Sequence, residues 1–245
     1  MAIIDGKKSM VTQRNAGFTL VELMITVLLA GLIIGSVYTA YLSLQRKYYA
    51  QEQVVEMQQT LRAAMDILVR DIRMAGYSPN GSANAGIVTA TVGQLRIRQD
   101  LTNTAGTSDD GDGAFDGPNE DVTFGFAPAD DAGADGVADA NVATFLRQDA
   151  SVPAGTAQDL AENIVAVEFN YLDEDGEPLD VPVALGDVRS IQISLLARAD
   201  RSDPEYRGGV TYITGSGESW GPYPDQFRRR LMVTTVQCRN LGLKK

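Results

Sequence analysis

A single carboxylate inside an apolar stretch is the residue of this chain whose position most needs a chemical explanation. Residues 18–44, FTLVELMITVLLAGLIIGSVYTAYLSL, contain one charge, that of Glu22. A carboxylate at full depth in a bilayer costs about 2.5–3.5 kcal/mol, so Glu22 needs a counter-ion. The natural counter-ion is the α-amino group of Phe18, which exists only if the preceding peptide bond is cut. Such a pair would neutralise both charges in a low-dielectric interior.

Two groups of aspartates form a second set of residues that could do chemistry, by binding a cation. From Gln99 to Leu146 the chain has eleven acidic residues and no basic one. Segments 108–116 and 131–139 each carry Asp-Gly with another Asp three residues after the glycine, which resembles the calcium loops of EF-hand and dockerin-like proteins. The predicted calcium ligands are Asp110, Asp112, Asp116, Asp131, Asp135 and Asp139.

The two acidic segments depart from that calcium pattern in places. Position one of the first segment is Ser108, and position three of the second is Gly133. Neither segment has a glutamate at position twelve or evident flanking helices. Clustered carboxylates repel one another, and a divalent cation would relieve that repulsion. Solvated acidic loops without metal explain the same residues.

A polar leader, residues 1–17, precedes the apolar stretch, whereas an ordinary secretory signal is cleaved after its apolar stretch. The stretch exceeds the roughly 20 residues needed to cross a bilayer. Lys7, Lys8 and Arg14 lie on its N-terminal side, which favours a cytoplasmic N-terminus and an exported remainder. A plain signal anchor whose Glu22 lies in the headgroup layer would explain these residues without processing.

The string GFTLVE at residues 17–22 resembles the prepilin processing signature of type IV pilins and type II secretion pseudopilins. The resemblance implies cleavage between Gly17 and Phe18 by a membrane-embedded prepilin peptidase, followed by N-methylation of Phe18. It also implies that Glu22 pairs with the amino group of Phe18 on a neighbouring subunit. That pairing would set the axial register of one helix on the next.

Gly31 and Gly35 form a G-x-x-x-G inside the apolar stretch. This spacing lets two helix backbones approach closely, which predicts a packing site. Glycine is also simply common in membrane helices, which explains the pair equally well.

Three later segments are similar to the PilW-type minor pilins: residues 66–77, 187–198 and 228–241. This resemblance implies a subunit that initiates or caps assembly of a type IV pilus, and so supports twitching motility, adhesion or DNA uptake. The implied partners are the prepilin peptidase and methyltransferase, other major and minor pilins, and the inner-membrane assembly platform. The implied location is the inner membrane, in a single pass, and then the pilus at the cell surface.

Two other functions stay open on the sequence. A J-type minor pseudopilin of a type II secretion system has a related fold and the same leader. A membrane-anchored exported hydrolase is the remote alternative, in which paired acids such as Asp110 and Asp116 would form a carboxylate dyad. No nucleophile and base accompany those acids, so we predict that the chain is not an enzyme.

Composition excludes several further classes of function. The formal charge is −11, and without the leader, which carries +2, it is about −13, which argues against nucleic-acid binding. The chain has no histidine, which excludes histidine-dependent catalysis and the common histidine zinc sites. Cys238 is the only cysteine, so an intrachain disulfide is impossible.

The apolar stretch continues into an amphipathic segment, which predicts one helix from Phe18 to about Ala75. Gly76 followed by Pro79 is its stop signal. The apolar stripe of this segment, at three- and four-residue intervals, consists of Val54, Met57, Leu61, Met65, Leu68 and Ile72. The predicted segments are the leader at 1–17, the membrane and filament-core half of the helix at 18–45, its amphipathic half at 46–76, and the head at 77–245, with acidic loops at about 99–146.

Beyond Gly76 the hydrophobic period falls to two, which predicts strands. They are expected at residues 87–92, 95–99, 122–126, 143–147, 164–172, 188–198 and 231–238. Val165, Val167, Phe169 and Tyr171 alternate along one of them, so that strand should bury this face against the helix stripe. The predicted fold class is α+β, a long N-terminal helix packed against an antiparallel sheet, as in type IV pilins.

Residues 206–227 form a segment rich in glycine and aromatic side chains. We expect its rings to pin a long loop to the sheet, although exposed rings would suit a partner subunit or a sugar. Arg228, Arg229 and Arg230 follow directly. We expect them to form salt bridges at a strand edge rather than to bind DNA phosphates.

Overall fold

The helix α1 (Leu20–Met74) is the first element of the computed structural model and confirms the predicted long helix. The structure describes residues 17–81, 84–102, 111–150, 157–180 and 182–242. Gly76 follows the helix with a φ of +82°, a conformation that favours glycine. The Asn240 side-chain amide donates to the last-turn carbonyls, at 3.1 Å to Arg73 and 3.4 Å to Met74. These bonds satisfy carbonyl groups that have no partner inside the helix.

The chain divides into two units, Met1–Tyr49 and Ala50–Lys245. In the first unit the described helical residues are almost all exposed, and an 18-residue window has a mean hydropathy of 2.4. That window is long enough and apolar enough to cross a membrane. The predicted segment boundaries near residues 45 and 76 remain predictions.

Nine strands follow α1 in the described residues, and seven of them form one antiparallel sheet in the order β1-β2-β3-β4-β5-β6-β9. The strands are β1 (Gly86–Ala90), β2 (Leu95–Arg98), β3 (Asp121–Gly125), β4 (Ala143–Asp149), β5 (Ala157–Leu172), β6 (Ser190–Arg198), β7 (Tyr212–Ile213), β8 (Ser219–Trp220) and β9 (Arg229–Gln237). All seven predicted strands are confirmed, and β5 begins well before the expected residue 164. The short hairpin of β7 and β8 was not predicted.

The core of the second unit lies between α1 and one face of the sheet. The predicted stripe is confirmed, because its members are buried except for Val54, which is partly buried. Their partners in this core include the fully buried Leu95, Ile97, Phe124, Phe145, Phe169, Ile193 and Leu195. Each such side chain stabilises the fold by about 1.5–3 kcal/mol through removal from water.

Val165 departs from the predicted alternation, and the expectation that it faces the helix stripe was wrong. The register of β5 on β6 shifts between Ile164 and Ala166, so Val165 is an extra residue in a bulge. Val165 and Ala166 therefore pack on the outer face of the sheet, while Val167 returns to the core. The other three predicted positions, from Val167 onward, do face the core.

The aromatic segment packs on this outer face, as expected. Trp220 is 9% exposed and shares a small apolar cluster with Val165, Ala166 and Leu196. The predicted pinned loop is therefore confirmed for the ring that is most buried. The expected salt bridges at the edge strand β9 are confirmed for two of the three arginines. They join Arg228 to Asp203 at 2.7 Å and Arg229 to Asp225 at 2.6 Å.

A buried carboxylate fastens the hairpin of β7 and β8 to the sheet. Glu168 on β5 is 4% exposed and accepts hydrogen bonds from three hydroxyl groups. The donors are Thr214 at 3.0 Å, Ser216 at 2.5 Å and Ser194 at 3.1 Å. Because a buried charge is costly without partners, these bonds tie the loop to the strand that bears Glu168.

Candidate processing and assembly site

The predicted cleavage bond lies just before the helix, in exposed chain. Gly17, Phe18 and Thr19 are not helical, and the Phe18 side chain is 83% exposed. The Thr19 carbonyl accepts a hydrogen bond from the N–H of Leu23 at 3.1 Å, which makes Thr19 the N-cap of α1. An exposed peptide bond outside the helix, next to its cap, is accessible to a peptidase.

Glu22 lies in the first turn of α1, three residues after the cap. Its backbone N–H donates to the Thr19 hydroxyl at 3.3 Å, which is one half of a capping box. A carboxylate in this turn also interacts favourably with the positive end of the helix dipole. This role of Thr19 was not predicted, although the spacing Thr-x-x-Glu before an apolar run is its known signal.

No ion pair joins the exposed Glu22 side chain to another residue within the described ranges. The capping box accounts for its position at a helix start, and it leaves open a counter-ion from outside the chain. The sequence-based prediction of a charge partner on a neighbouring subunit therefore stays a prediction.

Three hydroxyl groups in the apolar half of α1 are satisfied by the helix itself. Thr26 donates to the carbonyl of Glu22 at 2.9 Å, and Ser36 donates to that of Leu32 at 2.8 Å. Thr39 donates to the carbonyl of Ser36 at 2.8 Å. In an apolar medium every polar group needs an internal partner. This half of the helix is therefore suited to a lipid or protein interior, with Glu22 as its one charge.

Gly31 and Gly35 lie one helical turn apart and leave a flat strip on α1. A Cβ added at either position would meet no atom within 4 Å. The space beside them is therefore free in this chain, as a close helix neighbour would require. Their use as a packing site remains a prediction.

The second acidic segment is closed by its own carboxylates. Asp131 accepts the N–H of Asp135 at 3.2 Å and that of Gly136 at 2.9 Å. Asp139 accepts the N–H of Ala132 at 2.9 Å. Asp135 accepts the N–H of Val137 at 2.9 Å, so each predicted ligand here already has a role in shaping the loop, which is common for aspartate in turns.

The first acidic segment is only partly described, because Asp110 lies outside the described residues. Asp112 and Asp116 are both exposed, and Asp112 accepts the N–H of Ala114 at 2.9 Å. Among the residues that are described, no group of three acids is placed to hold a metal ion. Calcium binding therefore stays a prediction, because one predicted ligand, Asp110, lies outside the described residues.

Two buried acids that were not singled out from the sequence, Asp100 and Glu120, lie on either side of this segment. Asp100 and Glu120 are both 0% exposed. Asp100 accepts the N–H of Asp112 at 3.0 Å, and Glu120 accepts that of Gly117 at 2.7 Å. Their sequence context is the same as that of solvated acids, so composition alone offers no signal for them.

Asp121 on β3 is a third buried acid, and it pairs with two arginines of β2. Arg96 lies 2.6 Å and Arg98 2.8 Å from its carboxylate oxygens. Burial on its own raises the pKa of Asp121, but the two guanidinium groups outweigh burial and hold the pKa below the ordinary aspartate value. Much of the acidity of this region is therefore structural.

Comparison with protein families gives two matches at separate parts of the chain. Residues 12–38 match the prokaryotic N-terminal methylation motif, a range that includes Gly17, Phe18 and Glu22. Residues 121–240 match the family described as type IV pilus-assembly protein W. The methylation motif implies processing by a peptidase and assembly with other pilins.

Solved structures are also similar to this chain. The solved structure of a type IV-like pilin from Thermus thermophilus is 15% identical, with a TM-score of 0.45. The match covers 77% of this chain and 100% of that one. None of the curated proteins matches the chain significantly.

The family matches decide between the classes of function that the sequence left open. They place both the N-terminal segment and most of the sheet with pilus proteins, and so overturn the remote alternative of an exported hydrolase. The chain carries the N-terminal methylation motif and over residues 121–240 matches the PilW family of type IV pilus-assembly proteins, so it is a structural component of a pilus rather than an enzyme.

Proposed function

We propose that the chain is a minor pilin that initiates or caps assembly of a type IV pilus. The observation that carries this proposal is the exposed apolar half of α1, which has Glu22 as its one charge and follows the exposed, non-helical residues Gly17 and Phe18. An apolar surface of this length needs a lipid or protein environment, because leaving it in water is costly. A pilin uses both, first the membrane and then the fibre.

Cleavage before Phe18 would supply the positive charge that could pair with Glu22. The new α-amino group is positive at neutral pH, and on a neighbouring subunit it would neutralise the Glu22 carboxylate. The pair would fix how far one helix is displaced along the next. The helix would then leave the bilayer for the fibre interior with its apolar burial retained.

The proposed orientation in the membrane places the leader in the cytoplasm and the second unit outside. Lys7, Lys8 and Arg14 all lie on the leader side of the apolar stretch, and basic residues favour the cytoplasmic side. The proposed partners are the prepilin peptidase and methyltransferase, the other major and minor pilins, and the inner-membrane assembly platform. The proposed final location is the pilus at the cell surface.

The role of Glu22 is tested by Glu22→Gln, which keeps the side-chain shape and removes the charge. Removing one partner of a buried ion pair costs about 3–5 kcal/mol, so incorporation into fibres should fall about a hundredfold or more. The matched control is Ser36→Ala, because the Ser36 hydroxyl bonds only to its own helix. Equal amounts of both variants in sheared fibres would contradict the proposal.

The initiating or capping role is tested by where the chain lies in the fibre. Immunogold labelling of sheared fibres should place it at fibre ends, and deletion of the gene should reduce the number of fibres. Label spread along the shafts would contradict this role and leave the pilin class intact.

The J-type pseudopilin is the alternative within the same class, because the leader signature is common to both systems. The match to the pilus-assembly family favours the pilus. Deletion separates the two: loss of surface fibres supports a pilus, whereas retention of exported enzymes in the periplasm supports secretion.

Calcium binding by the acidic loops is a separate hypothesis with its own test. Asp131 and Asp139 accept backbone N–H groups, and carboxylate oxygens have further lone pairs that could bind a cation. Bound calcium would raise the melting temperature and protease resistance of the chain. Identical values in excess calcium and in chelator would remove the hypothesis.

A further inference from the structure

The two edges of the sheet differ in how well they are protected against pairing with another strand. At one edge β1 has five residues and a register shift between Ile87 and Thr89. At the other edge β9 has nine residues in unbroken register with β6. Short and bulged edges resist further pairing, whereas long and regular ones invite it.

The hydrogen bonds that flank β9 show which of its backbone groups are open. The Ala199 N–H donates to the Arg228 carbonyl at 2.8 Å, and the Cys238 N–H donates to the Arg189 carbonyl at 2.9 Å. Antiparallel ladders alternate between bonded and open residues, so the even-numbered residues between these points face β6. The odd-numbered residues of β9 present their N–H and C=O groups to the other side.

Four of these odd-numbered residues form a continuous open edge: Leu231, Val233, Thr235 and Gln237. Within the described ranges no strand and no loop supplies a backbone partner to any of them. The carbonyl of Arg229, at the start of the same edge, accepts the Tyr212 hydroxyl at 3.3 Å. The aromatic segment, residues 206–227, therefore bonds only to the first backbone group of this edge.

The open edge carries none of the usual devices against pairing. From Leu231 to Val236 its sequence is LMVTTV, without charge, proline or bulge. Val233 is 40% exposed in the middle of it. These residues are strong strand formers, and an edge of this kind normally has a partner.

Charge at the two ends of the open edge indicates what kind of strand it takes. Arg230 and Arg239 are exposed, and neither has an ion pair with a described residue. They stand out on a chain whose formal charge is −11. An extended segment with acidic residues near its ends would complement them.

We propose that the open edge of β9 accepts an extended, acidic-ended strand from a different pilin subunit of the same fibre. This inference rests on the proposed function, because it needs a neighbouring subunit. Two β9 strands paired antiparallel would form a closed, two-fold symmetric pair of identical chains, which would not continue along a fibre. Pairing β9 with β1 of a second copy would use the short, bulged edge.

The first test is Thr235→Pro, which removes an outward N–H and leaves the bonds to β6 intact. Thr235→Ala is the matched control, because it removes the same side chain and keeps the N–H. Thr235→Pro should lower incorporation into fibres about tenfold relative to Thr235→Ala, with unchanged N-terminal processing and protease resistance. Equal incorporation of the two variants would overturn the edge proposal.

The second test also decides the case if Thr235→Pro proves sensitive to protease. A photo-crosslinking amino acid at position 235 of the full chain in cells should give one main adduct with another pilin. The control position is Ile213, which is 56% exposed and lies on the hairpin of β7 and β8 rather than on the open edge. No adduct at 235, an adduct of the chain with itself, or the same adducts as from 213 would overturn the proposal. Absence of the wild-type chain from fibres would instead refute the proposed function.

Discussion

Each half of α1 carries a carboxylate among apolar residues, but only one of these two carboxylates has a charge partner within the described chain. Asp71, in the second unit, is 5% exposed and lies 2.8 Å from the guanidinium of Arg147 on β4. Glu22, in the first unit, is exposed and has no such partner in the described chain. The charge of Asp71 is therefore balanced within its own fold. We predict that the charge of Glu22 is balanced by a group from outside the chain.

The apolar side chains of the two halves differ in the same way. Leu61 and Leu68 are fully buried, whereas Leu28 and Leu32 are both 63% exposed. An apolar helix face therefore does not by itself indicate a core, because the face is buried only where another element packs on it. In the second unit the sheet packs on the helix. In the first unit the apolar surface must be covered by a membrane or by other subunits.

The largest effect on stability is expected from breaking the ion pair of the second unit. Asp71→Ala leaves Arg147 buried without its partner, which costs about 3–5 kcal/mol. Asp66→Ala is the matched control, an exposed aspartate of the same helix that should change stability by less than about 0.5 kcal/mol. Thermal unfolding of the full chain in detergent, followed by near-ultraviolet circular dichroism, measures both. Equal melting temperatures would contradict the account of this pair.

A pair of leucine substitutions tests the contrast between covered and uncovered helix directly. Leu68→Ala should destabilise the second unit by about 2–5 kcal/mol, because it leaves a cavity in the core. Leu32→Ala should leave the same unfolding transition unchanged, since its side chain is exposed in the chain. A large shift with Leu32→Ala would show that the apolar half also has a role in holding the second unit together.

A smaller effect is expected where Glu168 holds the hairpin. Glu168→Ala leaves three hydroxyl groups without their acceptor, at a cost of about 1–3 kcal/mol. Glu162→Ala on the same strand is the control, because Glu162 is exposed. Limited proteolysis should cut residues 206–227 faster in Glu168→Ala than in the control. Equal cleavage rates would show that the aromatic rings alone pin the loop.

The smallest expected effect is a change in acid stability at Asp225. The hydrogen bond from Arg229 holds the pKa of Asp225 below the ordinary aspartate value. A lowered pKa contributes stability that is present above the ordinary value of about 4 and is lost as pH falls through the folded value. Asp225→Asn should therefore lower the melting temperature slightly at neutral pH, and the difference should shrink below about pH 4. A pH-independent difference would contradict this cause.

The sequence predicted those parts of the fold that rest on periodicity. The α1 stripe and all seven strands of the sheet follow from spacings of three to four and of two residues. The bulge at Val165 was missed, because it depends on how Ile164 and Ala166 pair with β6 and not on their hydrophobicity. The hairpin of β7 and β8 was missed because its strands have two residues each.

The candidate site was predictable where it is encoded locally. Gly17, Phe18 and Glu22 fall in the matched methylation motif, and their individual roles stay predictions. The acids were harder, because a buried aspartate such as Asp71 and a solvated one such as Asp116 look alike in sequence. Only the fold shows which of them meets an arginine or a backbone N–H. The open edge of β9 likewise depends on strand order.

The most direct measurement of the central claim is the N-terminal sequence and mass of the chain isolated from cells. If Glu22 acquires its counter-ion by cleavage, the mature chain begins at Phe18 and carries a methyl group on its amino nitrogen. A mature chain that still begins upstream of Phe18 would contradict the account, because the amino group that Glu22 requires would not exist.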